Sequence, residues 1–132
     1  MPRFKPPRPT AAELEILRVL WERGPSTVRD VHAALARERG TGYTTVLKLM
    51  QIMAAKGLVE RDESARAHVY KARRAPGQTQ RQLVHDLLDR AFGGSPSKLM
   101  MQALSGRKAS ASEITEMRQM LDKFEKGKDP LA

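Results

Sequence analysis

A mainly α fold is predicted, in which three helices closed by a two-stranded hairpin are followed by a second helical unit. Three observations predict it. Apolar residues recur at helical spacing through three consecutive segments before Gly57, the period then changes to alternation in two short runs, and helical spacing returns after Ala75-Pro76-Gly77.

Taken in order, Pro2 to Pro9 holds four prolines and three basic residues, which suits a flexible arm over residues 1–9. Thr10 and Glu13 have the N-cap to N3 spacing of a capping box. Leu14, Leu17, Leu20 and Trp21 follow at helical spacing until Gly24-Pro25 stops the first helix. Ser26 is the expected N-cap of the second helix, which carries Val28, Val31 and Leu35 on one stripe and stops at Gly40. The third is expected from Tyr43 or Thr44 to Gly57, with Val46, Leu49, Met50 and Met53 as its apolar face. Leu58-Val59-Glu60-Arg61 and Ala67-His68-Val69-Tyr70-Lys71 alternate as strands do, and Asp62 to Arg66 between them is polar enough for a turn. This order of elements predicts a winged helix-turn-helix over residues 10–75.

Beyond the junction, Leu83, Val84, Leu87, Leu88, Ala91 and Phe92 form a helical stripe that Gly93-Gly94 interrupts. Ser95-Pro96 opens a short helix through Leu99, Met100, Ala103 and Leu104, which Gly106 closes. Ser110 and Glu113 repeat the capping-box spacing ahead of Ile114, Met117, Leu121 and Phe124, and residues 127–132 are expected to fray. A small winged-helix core cannot cover this much apolar surface. Residues 76–126 therefore read as a dimerisation unit, with Leu83, Leu87, Leu88, Phe92, Leu99, Met100, Leu104, Ile114, Met117, Leu121 and Phe124 at the interface. The alternative is that these helices fold back on their own domain.

Charge narrows the partner. The chain of 132 residues carries a formal net charge of +9, with the excess concentrated before residue 75. Clustered positive charge on a small domain points to a polyanion, because neutralising phosphates releases counterions. The length excludes a large enzyme, and the absence of cysteine excludes disulfides and thiolate metal sites. His32, His68 and His85 have no ligand spacing, no glycine-rich phosphate loop or nucleophile-base arrangement occurs, and neither a cofactor nor catalysis is expected. No run approaches the roughly 18 apolar residues of a membrane span. The basic, proline-rich N-terminal stretch is unlike a secretory signal, so the expected compartment is the cytoplasm.

The side of the third helix opposite Val46 and Met53 carries Thr44, Lys48, Gln51 and Ala55, flanked by Thr45 and Ile52 and, on the other side, Leu47. Lysine can donate to guanine O6 and N7, glutamine can pair with adenine N6 and N7, and threonine offers a hydroxyl and a methyl. The hairpin adds Arg61, Arg66, His68, Lys71, Arg73 and Arg74, suited to phosphates or a minor groove. Helix, helix, helix and basic hairpin together favour double-stranded DNA. The runner-up is a winged-helix module that docks an acidic protein or RNA without operator specificity.

At Gly42-Tyr43-Thr44-Thr45-Val46, Lys56-Gly57-Leu58-Val59 and Arg66-Ala67-His68-Val69-Tyr70 the sequence resembles the penicillinase repressor family, which includes the β-lactamase and methicillin-resistance repressors. Leu17-Arg18-Val19-Leu20-Trp21 and Thr27-Val28-Arg29-Asp30-Val31 fit the family's first two helices, and the resemblance covers roughly residues 9 to 125. It implies a homodimeric bacterial winged-helix repressor whose third helices enter the major groove of a palindromic operator. Thr44, Thr45 and Lys48 then fall on the groove-facing stretch, Tyr43 opens the same DNA-binding helix, and the wing falls on Arg61 to Lys71. Two positions depart from the pattern. Ile52 stands where the family often has a basic residue, and the Asn-Phe bond cut by a membrane sensor metalloprotease in antibiotic-sensing members corresponds here to Gln102-Ala103.

Overall fold

The computed structural model describes residues 7–131, leaving aside the side chains of 37–39; most of the expected N-terminal arm lies outside the described residues. The chain divides into two compact units, Met1–His85 and Asp86–Ala132.

In the first unit, helix α1 spans Ala11–Arg23, α2 Val28–Arg39 and α3 Tyr43–Lys56, and the wing strands are β2 Val59–Asp62 and β3 Val69–Ala72. Local chemistry sets the ends. Thr10 and Glu13 close the expected capping box at the start of α1. Gly57 ends α3 in the left-handed conformation at φ 78°, where its N–H reaches the carbonyls of Met53 and Ala54.

The start of α2 differs from the expectation. Ser26 is not its N-cap: Thr27 is, in a reciprocal capping box with Asp30, and Asp30 is held below the ordinary carboxylate range by the Thr27 N–H and hydroxyl. Ser26 and Thr27 form a short strand, β1, whose Ser26 lies opposite Tyr70 and Thr27 opposite Val69. The wing is therefore part of a three-stranded antiparallel sheet in the order β1-β3-β2. A two-residue strand is too short to show alternation in sequence.

One apolar core unites these elements. Ile16, Leu17 and Leu20 of α1 meet Val31 and Leu35 of α2, Val46, Met50 and Met53 of α3, and Leu58, Val59 and Tyr70 from the sheet. Leu49 is only partly covered. At the base of the wing, Trp21 Nε1 donates to the Arg74 carbonyl at 3.0 Å, and Arg74 Nη1 donates to the Gly57 carbonyl at 3.2 Å. Helix α4, Pro76–Ala91, begins in this unit with Thr79 buried, so the unit continues past the Ala75-Pro76-Gly77 junction.

The second unit holds the end of α4, then α5 Pro96–Leu104 and α6 Ala111–Glu125. Ser95 caps α5 with Pro96 at its first position, and Ser110 and Glu113 form the expected capping box of α6. Neither α5 nor α6 has a buried residue. Leu121 and Phe124 are both 50% exposed, and Leu87, Met100 and Leu104 are exposed as well. No helix among the described residues is long and apolar enough to cross a membrane.

Candidate nucleic-acid interface

Helix α3 is two-sided. Val46, Met50 and Met53 are fully buried, whereas Tyr43, Thr44, Thr45, Lys48, Gln51, Ile52 and Ala55 are exposed. Its N-cap is Gly42, which has no side chain to satisfy the first-turn N–H groups, and no acidic residue stands there. The helix therefore offers backbone donors and a positive dipole end beside Tyr43 and Thr44.

Gln51 and Tyr43 share a groove of about 690 Å³ with Arg61, Arg66 and His68 of the wing and with Thr27 and Arg29 at the start of α2. Arg61 and Arg66 of the wing and Arg29 of α2 thus line one concavity beside α3, where field lines from an anionic ligand converge. Thr44, Thr45 and Lys48 lie outside it, on the open face of α3.

The remaining wing cations are placed differently. Lys71 is opposite Glu60 in the sheet register and pairs with it at 3.4 Å. Successive strand residues face opposite sides, so Lys71 and Glu60 share the face away from the one Arg61 and Tyr70 use. Arg73 borders a second hollow together with Gln51, Arg61 and Glu63. Arg74, expected among the DNA-facing cations, instead turns inward to the Gly57 carbonyl.

Arg61 is the most tightly engaged cation of the wing. It stands opposite Tyr70 in the sheet register and pairs with Glu63, and the Tyr70 hydroxyl and the Glu63 carboxylate both raise its pKa above the ordinary value. The Asp62 carboxylate accepts from the Ser64 N–H at 2.9 Å; bonds from Ser64 hold it below its ordinary pKa and shape the turn.

Three positions that shape the candidate interface were not apparent from the residues alone. Arg29 joins the groove because the Thr27 cap puts it in the first turn of α2. His32 packs edge-on against Tyr43 with ring centroids 5.7 Å apart, steadying the residue that opens α3. Lys56, in the last turn of α3, reaches the buried Glu13 carboxylate at 2.6 Å. Burial pushes the Glu13 carboxyl up, but the Lys56 ammonium and the bonds from Thr10 outweigh it and hold the group below its ordinary value. Both ends of α3 are thus held by side chains from other helices.

Comparisons with known proteins agree with this geometry. The sequence model of the penicillinase repressor family matches residues 9–123. The transcriptional regulator BlaI of Mycobacterium tuberculosis is 34% identical over 119 residues, covering 87% of this chain and 83% of that protein. The penicillinase repressor of Bacillus licheniformis is 23% identical over 124 residues, covering 94% and 97%. Among solved structures, the DNA-binding domain of the repressor BlaI has the same fold, with a TM-score of 0.50 and 22% identity over 55% of this chain and 88% of that one. An α3 bared on one side, a cation-lined wing and a match along nearly the whole length lead to one assignment: the chain belongs to the penicillinase repressor family of DNA-binding transcriptional repressors.

Proposed function

We propose that this repressor acts in the cytoplasm as a homodimer on a palindromic operator, with α3 of each copy in a major groove and the wing on the flanking backbone. The observation that carries the reading is the uncovered face of α3, where Thr44, Thr45, Lys48 and Gln51 stand opposite a fully buried stripe and next to the groove of Arg61, Arg66 and His68. Lys48 and Gln51 read base edges, Thr44 and Thr45 contact the helix-entry side, and the wing cations set register on phosphates.

The apolar faces of α4 to α6 support the dimer. Leu87, Met100, Leu104, Leu121 and Phe124 are exposed, and Leu83, Leu88, Phe92, Leu99, Ile114 and Met117 are only half-covered. A second copy brings the same faces by two-fold symmetry and matches the symmetry of a palindrome. Gln102 and Ala103 are exposed near the end of α5. Cleavage between them by a membrane sensor metalloprotease would detach α6 and so weaken the dimer, giving a route to derepression.

Selection of sheared genomic DNA by the purified protein at about 150 mM salt tests the reading, because that ionic strength screens loose attraction. A two-fold symmetric motif upstream of a few genes is the expected result. On that motif, Lys48→Ala costs about 1–3 kcal/mol and relaxes preference at one base pair. A random sample of the genome would refute operator specificity and turn attention to an acidic protein or RNA.

A further inference from the structure

The cations of the wing are not equivalent. Arg61 stands in β2 directly opposite Tyr70, so its side chain leaves the sheet on the same face as the Tyr70 ring. It borders both hollows that flank Gln51 of α3. Its guanidinium thus has the Tyr70 hydroxyl as a neighbour on its own face of the sheet and pairs with the Glu63 carboxylate. Tyr70 is 1% exposed, its ring fixed by the core, whereas the Glu63 side chain is 55% exposed at the start of the turn.

We propose that Arg61 is a phosphate contact of the wing, that the Tyr70 hydroxyl positions it, and that the Glu63 carboxylate occupies in the free protein the place a DNA phosphate takes in the complex. The proposal rests on the reading that α3 and the wing face DNA.

A carboxylate and a phosphate each offer a guanidinium the same pair of oxygens. DNA that reaches Arg61 therefore displaces Glu63 or binds with a carboxylate left beside its phosphate, and like charges at such range repel. Tyr70 decides the sign of the effect. A hydroxyl carried by a core-anchored ring on the face Arg61 shares keeps the guanidinium placed without help from Glu63, so removing the carboxylate frees the fork while keeping it aimed. The neighbouring Arg66 has no carboxylate within ion-pair distance among the described residues, and Lys71 faces Glu60 across the other side of the sheet.

The test is titration of the full chain against a labelled duplex of about 30 base pairs and arbitrary sequence at several salt concentrations. Arg61→Ala weakens binding and lowers the salt slope by about one. Glu63→Gln tightens binding about threefold or more, and this gain disappears when Arg61 is already Ala. Tyr70→Phe keeps the ring and weakens binding, and its loss also disappears in the Arg61→Ala background, which a general loosening of the wing would not do. Tightening by Glu63→Gln that persists without Arg61 is repulsion at a distance and overturns the proposal, as does weaker binding by Glu63→Gln. If Arg61→Ala changes nothing while Lys48→Ala still weakens binding, the wing is off the DNA: both the proposal and the wing part of the site reading then fail, and the reading of α3 stands.

Discussion

Replacing Glu13 with Gln isolates the charge that fastens the far end of α3 to α1. The amide has nearly the same volume and keeps an oxygen to accept from the Thr10 N–H and from Lys56, so only the charge is lost. Removing one partner of a fully buried pair costs about 3–5 kcal/mol, and an exposed pair is worth about 0–1 kcal/mol. This pair lies between, since the Glu13 side chain is 2% exposed and that of Lys56 is 32% exposed. A cost of about 2 kcal/mol follows, which lowers the midpoint of a unit this size by about 10 °C. Lys56→Met costs more, because it leaves a buried carboxylate without its cation. Urea unfolding followed by the single tryptophan, Trp21, reports on this unit, provided that protein concentration is held fixed so that any self-association contributes equally. The pH dependence has a definite sign. The pKa of Glu13 is lowered by folding, so its stabilisation is present above the ordinary glutamate range and is lost as pH falls through the lowered value. The gap between wild type and Glu13→Gln is therefore constant near neutral pH and narrows in acid. A difference below about 0.5 kcal/mol at pH 7 refutes the reasoning, as would a gap that persists unchanged in acid.

Gly57→Ala is expected to destabilise the first unit by about 1–2 kcal/mol in the same assay: the position has φ 78°, and a Cβ there would come 3.2 Å from Arg73 Nη1. Leu121→Asp combined with Phe124→Asp places charge on the exposed apolar face of α6; sedimentation should show monomers, and the Trp21 unfolding transition of the first unit should remain.

Much of the first unit is legible in the sequence because its signals are local. The capping box at Thr10 and the stop at Gly57 are fixed by residues a few positions apart, as is the capping box at Ser110 in the second unit, and the buried stripe of α3 leaves Thr44, Lys48 and Gln51 outward by elimination. What escapes are contacts between distant residues. Glu13 already has a local role as the third residue of its capping box, so nothing in the sequence marks it as the partner of Lys56. Arg74 looks like another wing cation until the fold brings the Gly57 carbonyl to it, and Ser26 looks like a cap until Tyr70 pairs with it. Charge patterns likewise count Arg61 and Glu63 separately, although the fold joins them in an ion pair.

The fastening at the base of the wing has an evolutionary consequence. Trp21 and Arg74 both reach main-chain carbonyls there, those of Arg74 and Gly57, and a carbonyl is supplied by whatever residue occupies the position. The tip, from Glu63 to His68, lies wholly at the surface, and the bond that shapes it runs from Ser64 to the adjacent Asp62. Selection can therefore lengthen, shorten or recharge the tip while the fastening beneath it stays intact. A lineage of such repressors can diverge in the length and charge of the wing without first having to regain its fold.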